Sequence, residues 1–120
     1  MKTATQNQIE QHGANLNAIF NTGIPNIDLC KKLHRLENKA SRIALNYCNG
    51  EQGITSENIN NFTSPILAKV KAILGDKYPV FFNGDARGYS LKISDKIVKE
   101  NNLQIYTDWG GNGIIAPDFN

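Results

Sequence analysis

The run from Asn26 to Asn49, NIDLCKKLHRLENKASRIALNYCN, constrains the fold more than any other stretch of the chain. Leu29, Leu33, Leu36, Ala40, Ile43 and Tyr47 recur at alternating spacings of four and three. That rhythm lines one face of a helix. Asn26 or Asp28 can cap its start, Asp28 also meeting the positive end of the helix dipole, and Asn49-Gly50 supplies the stop. A helix with one apolar face must bury that face. With 120 residues the chain has room for one modest core, so the covering elements belong to the same small domain.

The nearest partner is Thr55–Gly75. Ile59, Phe62, Ile66, Val70 and Ile73 follow a 3-4-4-3 spacing, with Ser56 as a cap and Gly75 as the end. Pro65 either kinks this helix or, with Ser64 as cap, starts a fresh one. The short Glu51–Ile54 connection predicts an antiparallel hairpin that closes the two stripes on each other. Upstream, residues 1–25 read as an N-terminal arm or a weak helix. Ile9, Leu16, Ile19 and Phe20 give a sparse apolar face over about Thr5–Phe20, ahead of Asn21-Thr22-Gly23.

From Pro79 the pattern changes. Pro79–Phe82, Tyr89–Ile93, Gln104–Thr107 and Gly113–Ala116 read as short strands. Between the middle pair, Ser94-Asp95-Lys96 opens a helical turn that runs to about Asn101, with Ser94 as its cap. Asn83–Gly88 and Asp108–Gly111 read as hairpin loops of four to six residues, rich in Gly and Asp. The expected class is α+β: a helical hairpin packed on a small antiparallel β-sheet, with residues 26–120 as a single domain.

Most catalytic chemistry finds no foothold in this pattern. His12 and His34 belong to no local motif with Ser or Cys. There is no CxxC, HxxxH or carboxylate-rich loop, and no phosphate-binding fingerprint around Asn83-Gly84 or Gly110-Gly111. No metal and no cofactor are expected, and no catalytic residue is assigned. One enzymatic alternative survives. If Asp85, Asp108 and Asp118 converge at one end of the sheet, they can support Mg²⁺-assisted phosphodiester cleavage. The plainer reading is turn chemistry, with Asp carboxylates shaping their loops and Arg87 clamping Asp85 or Asp108.

Charge is distributed unevenly. Residues 1–50 hold six Lys/Arg against three acids, and residues 51–120 hold seven against eight. The excess falls on the long helix, where Lys31, Lys32, Arg35, Lys39 and Arg42 occupy the face away from the leucines, relieved by Glu37. Such a stripe suits phosphates or an acidic partner surface, and it is also what a solvated helix face looks like. No aromatic residue is interleaved for stacking on bases. Trp109, in its Gly-rich loop, is either a recognition anchor or a lid folded over the hairpin. Cys30 and Cys48 read as reduced thiols: if both lie on one continuous helix, 18 residues hold them about 27 Å apart, too far for a bridge. No apolar run approaches the roughly 20 residues of a membrane span. The N-terminal MKTATQNQIEQHGANLN has no apolar core of a secretory signal, so a cytoplasmic location is expected.

VFFNGDARGYSLKI followed by IYTDWGGNGIIAPDF, with LHRLENKASRIALNYCNG ahead of them, resembles a small family of proteins from bacterial phages and mobile elements. The resemblance covers about residues 29–119; its C-terminal signature is fairly specific and the helix is not. The family pattern carries Pro at the position of Ala86 and an aromatic at that of Asn112, so the first loop here is slightly looser. The resemblance brings a setting and no reaction. It implies a non-enzymatic binding protein that inhibits a host nucleic-acid-targeting defence system, in the manner of anti-CRISPR proteins. The implied partner is a host protein or ribonucleoprotein complex, met by a monomer or homodimer through Lys31, Lys32, Arg35, Lys39, Arg42, Arg87 and Trp109. An RNA- or DNA-binding accessory protein is the alternative.

Overall fold

In the computed structural model the chain is described over residues 5–48, 53–55, 57–85, 88–103, 106–108 and 111–113. Helix α1, Gln6–Phe20, opens on a capping box. The Gln8 N–H donates to Thr5 Oγ1 at 3.2 Å, and the Thr5 N–H donates to Gln8 Oε1 at 2.8 Å. These two bonds satisfy donors that a helix start otherwise leaves open. The helix stops at Asn21, whose left-handed φ of 51° breaks the ladder. Leu16, Ile19 and Phe20 are buried, so of the two readings of this segment the helix is what forms, and it feeds the central core.

A polar clasp sets how α1 turns into α2, Asn26–Cys48. Asn17 Nδ2 donates to the Ile24 carbonyl and to Asn26 Oδ1, each at 2.8 Å, while Asn17 Oδ1 accepts from the Thr22 hydroxyl at 2.6 Å. Thr22 Oγ1 in turn accepts the Ile24 N–H at 3.1 Å, and Asn26 Nδ2 donates to Glu10 Oε1 at 2.7 Å. At about 0.5–1.5 kcal/mol net each, these bonds fix the crossing as firmly as a buried side chain does. Gly13 lets the helices touch. A Cβ there would stand 2.3 Å from the Asn26 carbonyl oxygen.

Along α2, Leu29, Cys30, Leu33, Leu36, Ala40 and Ala44 are buried. Ile43 is half-buried and Tyr47 lies at the margin, so the predicted stripe holds over its first three turns and then rotates toward Ala44. Helix α3, Ile59–Leu74, begins later than Thr55. The lead-in turn is held by the Asn58 and Thr55 side chains, each accepting the other's backbone N–H, at 2.6 and 3.3 Å; Ser56, the expected cap, lies outside the described residues. Pro65 sits inside a continuous helix and faces water. The carbonyl it leaves without an intrahelical donor, that of exposed Asn61, can therefore be hydrated. The buried line of α3 is Thr63, Val70 and Leu74, while Phe62 is 41% exposed. Counting apolar residues alone missed this rotation, because Thr63 enters the core with its hydroxyl bonded to the Ile59 carbonyl at 3.3 Å.

The sheet has four strands in the order β1-β2-β4-β3, all neighbours antiparallel. They are β1 Val80–Asp85, β2 Gly88–Ile93, β3 Tyr106–Asp108 and β4 Gly111–Gly113. Helix α4, Asp95–Asn101, links β2 to β3; Ser94 precedes it without a side-chain capping bond, and Asn102 ends it in the left-handed region. Val80, Leu91 and Ile93 face the helices and complete a core with Leu16, Leu29 and Leu33. Phe20 meets Tyr78 edge-on, centroids 6.2 Å apart, tying α1 to the approach to β1. The architecture is α+β, a helical hairpin on a small antiparallel sheet, with α1 as a further helix on α2. No described helix is long and apolar enough to cross a membrane.

The register corrects two expectations about the turns. Asp85 pairs with Gly88 and Asp108 with Gly111. Two residues therefore separate the paired ends in each hairpin, where four to six were expected. The last strand begins at Gly111, earlier than the Gly113 read from sequence.

Candidate nucleic-acid interface

Helix α2 is the central element, packed by α1, α3 and the sheet, and this burial decides which side of it meets water. At about 100° per residue, Lys31, Lys32, Arg35, Lys39 and Arg42 fall within an arc of about 100° opposite the buried leucines. All five are exposed. From Lys31 to Arg42 the ridge runs about 16 Å at 1.5 Å per residue. Among the described residues no ion pair engages any of them; the pair between Lys96 and Glu100, at 3.9 Å, lies on α4.

Glu37 was expected to relieve this stripe, and the structure turns it away. It stands about 160° around the helix from both Arg35 and Lys39. There its Oε2 accepts the backbone N–H of Leu91 at 2.9 Å. A carboxylate bonded to a backbone donor in a half-buried site ties α2 to β2 and leaves the outer ridge more positive than composition implied. Asp28, in the first turn, is the acid that shares the ridge's arc.

Arg87 and Trp109 lie outside the described residues. The strand ends that flank them are far apart, however. The row Val80–Ile93–Asn112–Thr107 crosses the whole sheet, and from it Asp85 lies five residues along β1 in one direction and Asp108 one residue in the other. With about 3.3 Å per residue and 4.8 Å per strand, some 20 Å along and 14 Å across separate the two backbones. The first hairpin turn closes one end of the sheet and the second closes the opposite end. Asp85 and Asp108 cannot share one metal ion, which removes the basis of the nuclease alternative; Asp118 lies outside the described residues. Among the described residues no group of three or more His, Cys, Asp or Glu could hold a metal.

Cys30 is fully buried, its Sγ 3.6 Å from the Ile9 carbonyl it donates to. Burial pushes its thiol up to about 11, and the Glu10 carboxylate adds to the rise. At neutral pH it is a protonated core residue without thiolate reactivity. His34 pairs with Asn38 on α2 at 3.2 Å, and burial lowers its pKa.

No protein-family model matches this chain, and no curated protein or solved structure is significantly similar to it. The resemblance to phage and mobile-element proteins rests on the quoted residues alone.

Proposed function

We propose that this chain is a non-enzymatic binding protein whose working surface is the outer face of α2. The carrying observation is the ridge itself: five exposed cations on a rigid, core-anchored helix, with Glu37 drawn off to the sheet. A fixed array of this kind presents charge without first ordering a loop, which lowers the entropic cost of docking. The family resemblance suggests as partner a host nucleic-acid-targeting defence complex of the cytoplasm, a protein or ribonucleoprotein whose negative charge the ridge would meet and whose action binding would inhibit in the anti-CRISPR manner. Arg87 and Trp109 remain proposed contributors to that contact.

The test is capture from lysate of the bacterial host, with the wild-type chain and a Lys31→Gln/Arg35→Gln/Lys39→Gln/Arg42→Gln variant side by side. The expected result is one stoichiometric protein or ribonucleoprotein complex held by the wild type, lost from the variant and impaired in nucleic-acid targeting when occupied. A complex captured equally by both proteins contradicts the assignment of the surface. A second reading, an accessory protein that binds RNA or DNA directly, is favoured by the same ridge and needs no protein partner.

A further inference from the structure

Resting on the assignment of α2 as the working surface, we infer that its ligand is the phosphate backbone of double-stranded nucleic acid, contacted without readout of base sequence. The make-up of the ridge separates this from an acidic protein surface. Within the arc of the five cations stand only Asp28 and Asn46 besides, both polar. Leu45 and Tyr47, the exposed apolar residues nearest in sequence, project outside it, by about 40° and about 60°. Protein interfaces concentrate their energy in buried aromatic and apolar anchors and are depleted in Lys at their centres. The arc itself holds no such anchor, and three of its five cations are Lys. A phosphate backbone requires no anchor. It is a regular row of charges whose affinity for cations comes from released counterions.

The same composition separates duplex from single strand. Proteins that hold single strands stack bases on aromatic side chains, and the arc contains none. A duplex shields its bases and offers phosphates outward, matching a straight ridge of cations about 16 Å long. Lys31, Arg35 and Lys39 recur every four residues, about 6 Å apart along the axis, so neighbouring cations can serve separate phosphates.

The inference fixes a salt dependence. Five phosphates neutralised on a duplex give a slope of log K against log salt of about −4.5, which is about a 500-fold loss between 50 and 200 mM. The experiment is fluorescence anisotropy of the full chain with labelled 20-base-pair DNA and RNA duplexes, each of two unrelated sequences, and with labelled polyglutamate. Expected are similar affinities for both sequences, a slope near −4.5, and a fall to about −0.9 when the four-Gln variant leaves Lys32 alone. Lys69→Gln/Lys71→Gln on α3, which removes equally exposed cations elsewhere, should leave the slope unchanged. Thermal melting of each variant verifies folding. The DNA and RNA arms show which duplex is preferred. Binding to polyglutamate with none to either duplex overturns the inference and preserves the α2 surface. A slope that the four-Gln variant leaves intact overturns both, as does an absence of binding to all three probes.

Discussion

Replacing Leu33 with Ala should lower the unfolding free energy by about 3–5 kcal/mol, a large share of the roughly 5–15 kcal/mol that holds a domain of this size. Leu33 is 0% exposed on α2, the helix that packs against α1, α3 and β2. Its loss removes the transfer energy of the side chain and leaves a cavity in the core cluster that it shares with Leu16, Leu29, Val70 and Leu91. Such a site cannot collapse without moving an element, so the upper part of the range applies. Leu45 supplies the comparison. It is on the same helix and is 48% exposed, and Leu45→Ala should change stability by no more than about 0.5 kcal/mol. Urea titration followed by circular dichroism reads both. Equal losses for the two variants would mean that α2 is not oriented as described.

The second large effect is a reversal of sign. In an exposed helix interior, Gly→Ala stabilises by about 1 kcal/mol. Gly13→Ala should instead destabilise by about 1–3 kcal/mol, because the new Cβ meets the Asn26 carbonyl oxygen at 2.3 Å and its carbon at 2.6 Å. Those are backbone atoms held by the Asn17 clasp and cannot swing aside like the tip of a side chain. The melting temperature should fall by about 4–12 °C. A rise on Gly13→Ala would show that α1 does not lie against the start of α2.

These two residues mark what the sequence made legible and what it did not. Leu33 sits in a stripe whose spacing allows only one helical face, and the structure buries it. Gly13 carries no periodic signal, since its role exists only where another segment's backbone comes close. Phe62 and Thr63 show the same limit. An apolar residue on the margin and a hydroxyl that bonds to its own helix trade places without altering the composition of the stripe. For the sheet, the strand-like runs of β1 and β2 were legible. Residues Gly111–Gly113 present almost no side chains, so nothing in them announced that this segment would insert between β2 and β3. That insertion sends the two hairpin turns to opposite ends of the sheet and separates Asp85 from Asp108. The basic ridge was readable from spacing alone, because side chains opposite a buried stripe have only solvent to face. Its freedom from Glu37 was not, for that depends on an N–H of β2 more than fifty residues away in sequence.

The proposal that this protein meets its ligand on the outer face of α2 can be tested residue by residue, with an ¹H–¹⁵N spectrum of the full chain titrated with a 20-base-pair duplex at low salt. The largest shifts should fall on Lys31, Lys32, Arg35, Lys39 and Arg42, and the resonances of β1 and α4 should move little. Shifts concentrated on the β3–β4 hairpin or the β1–β2 turn, with those of α2 unmoved, would contradict it.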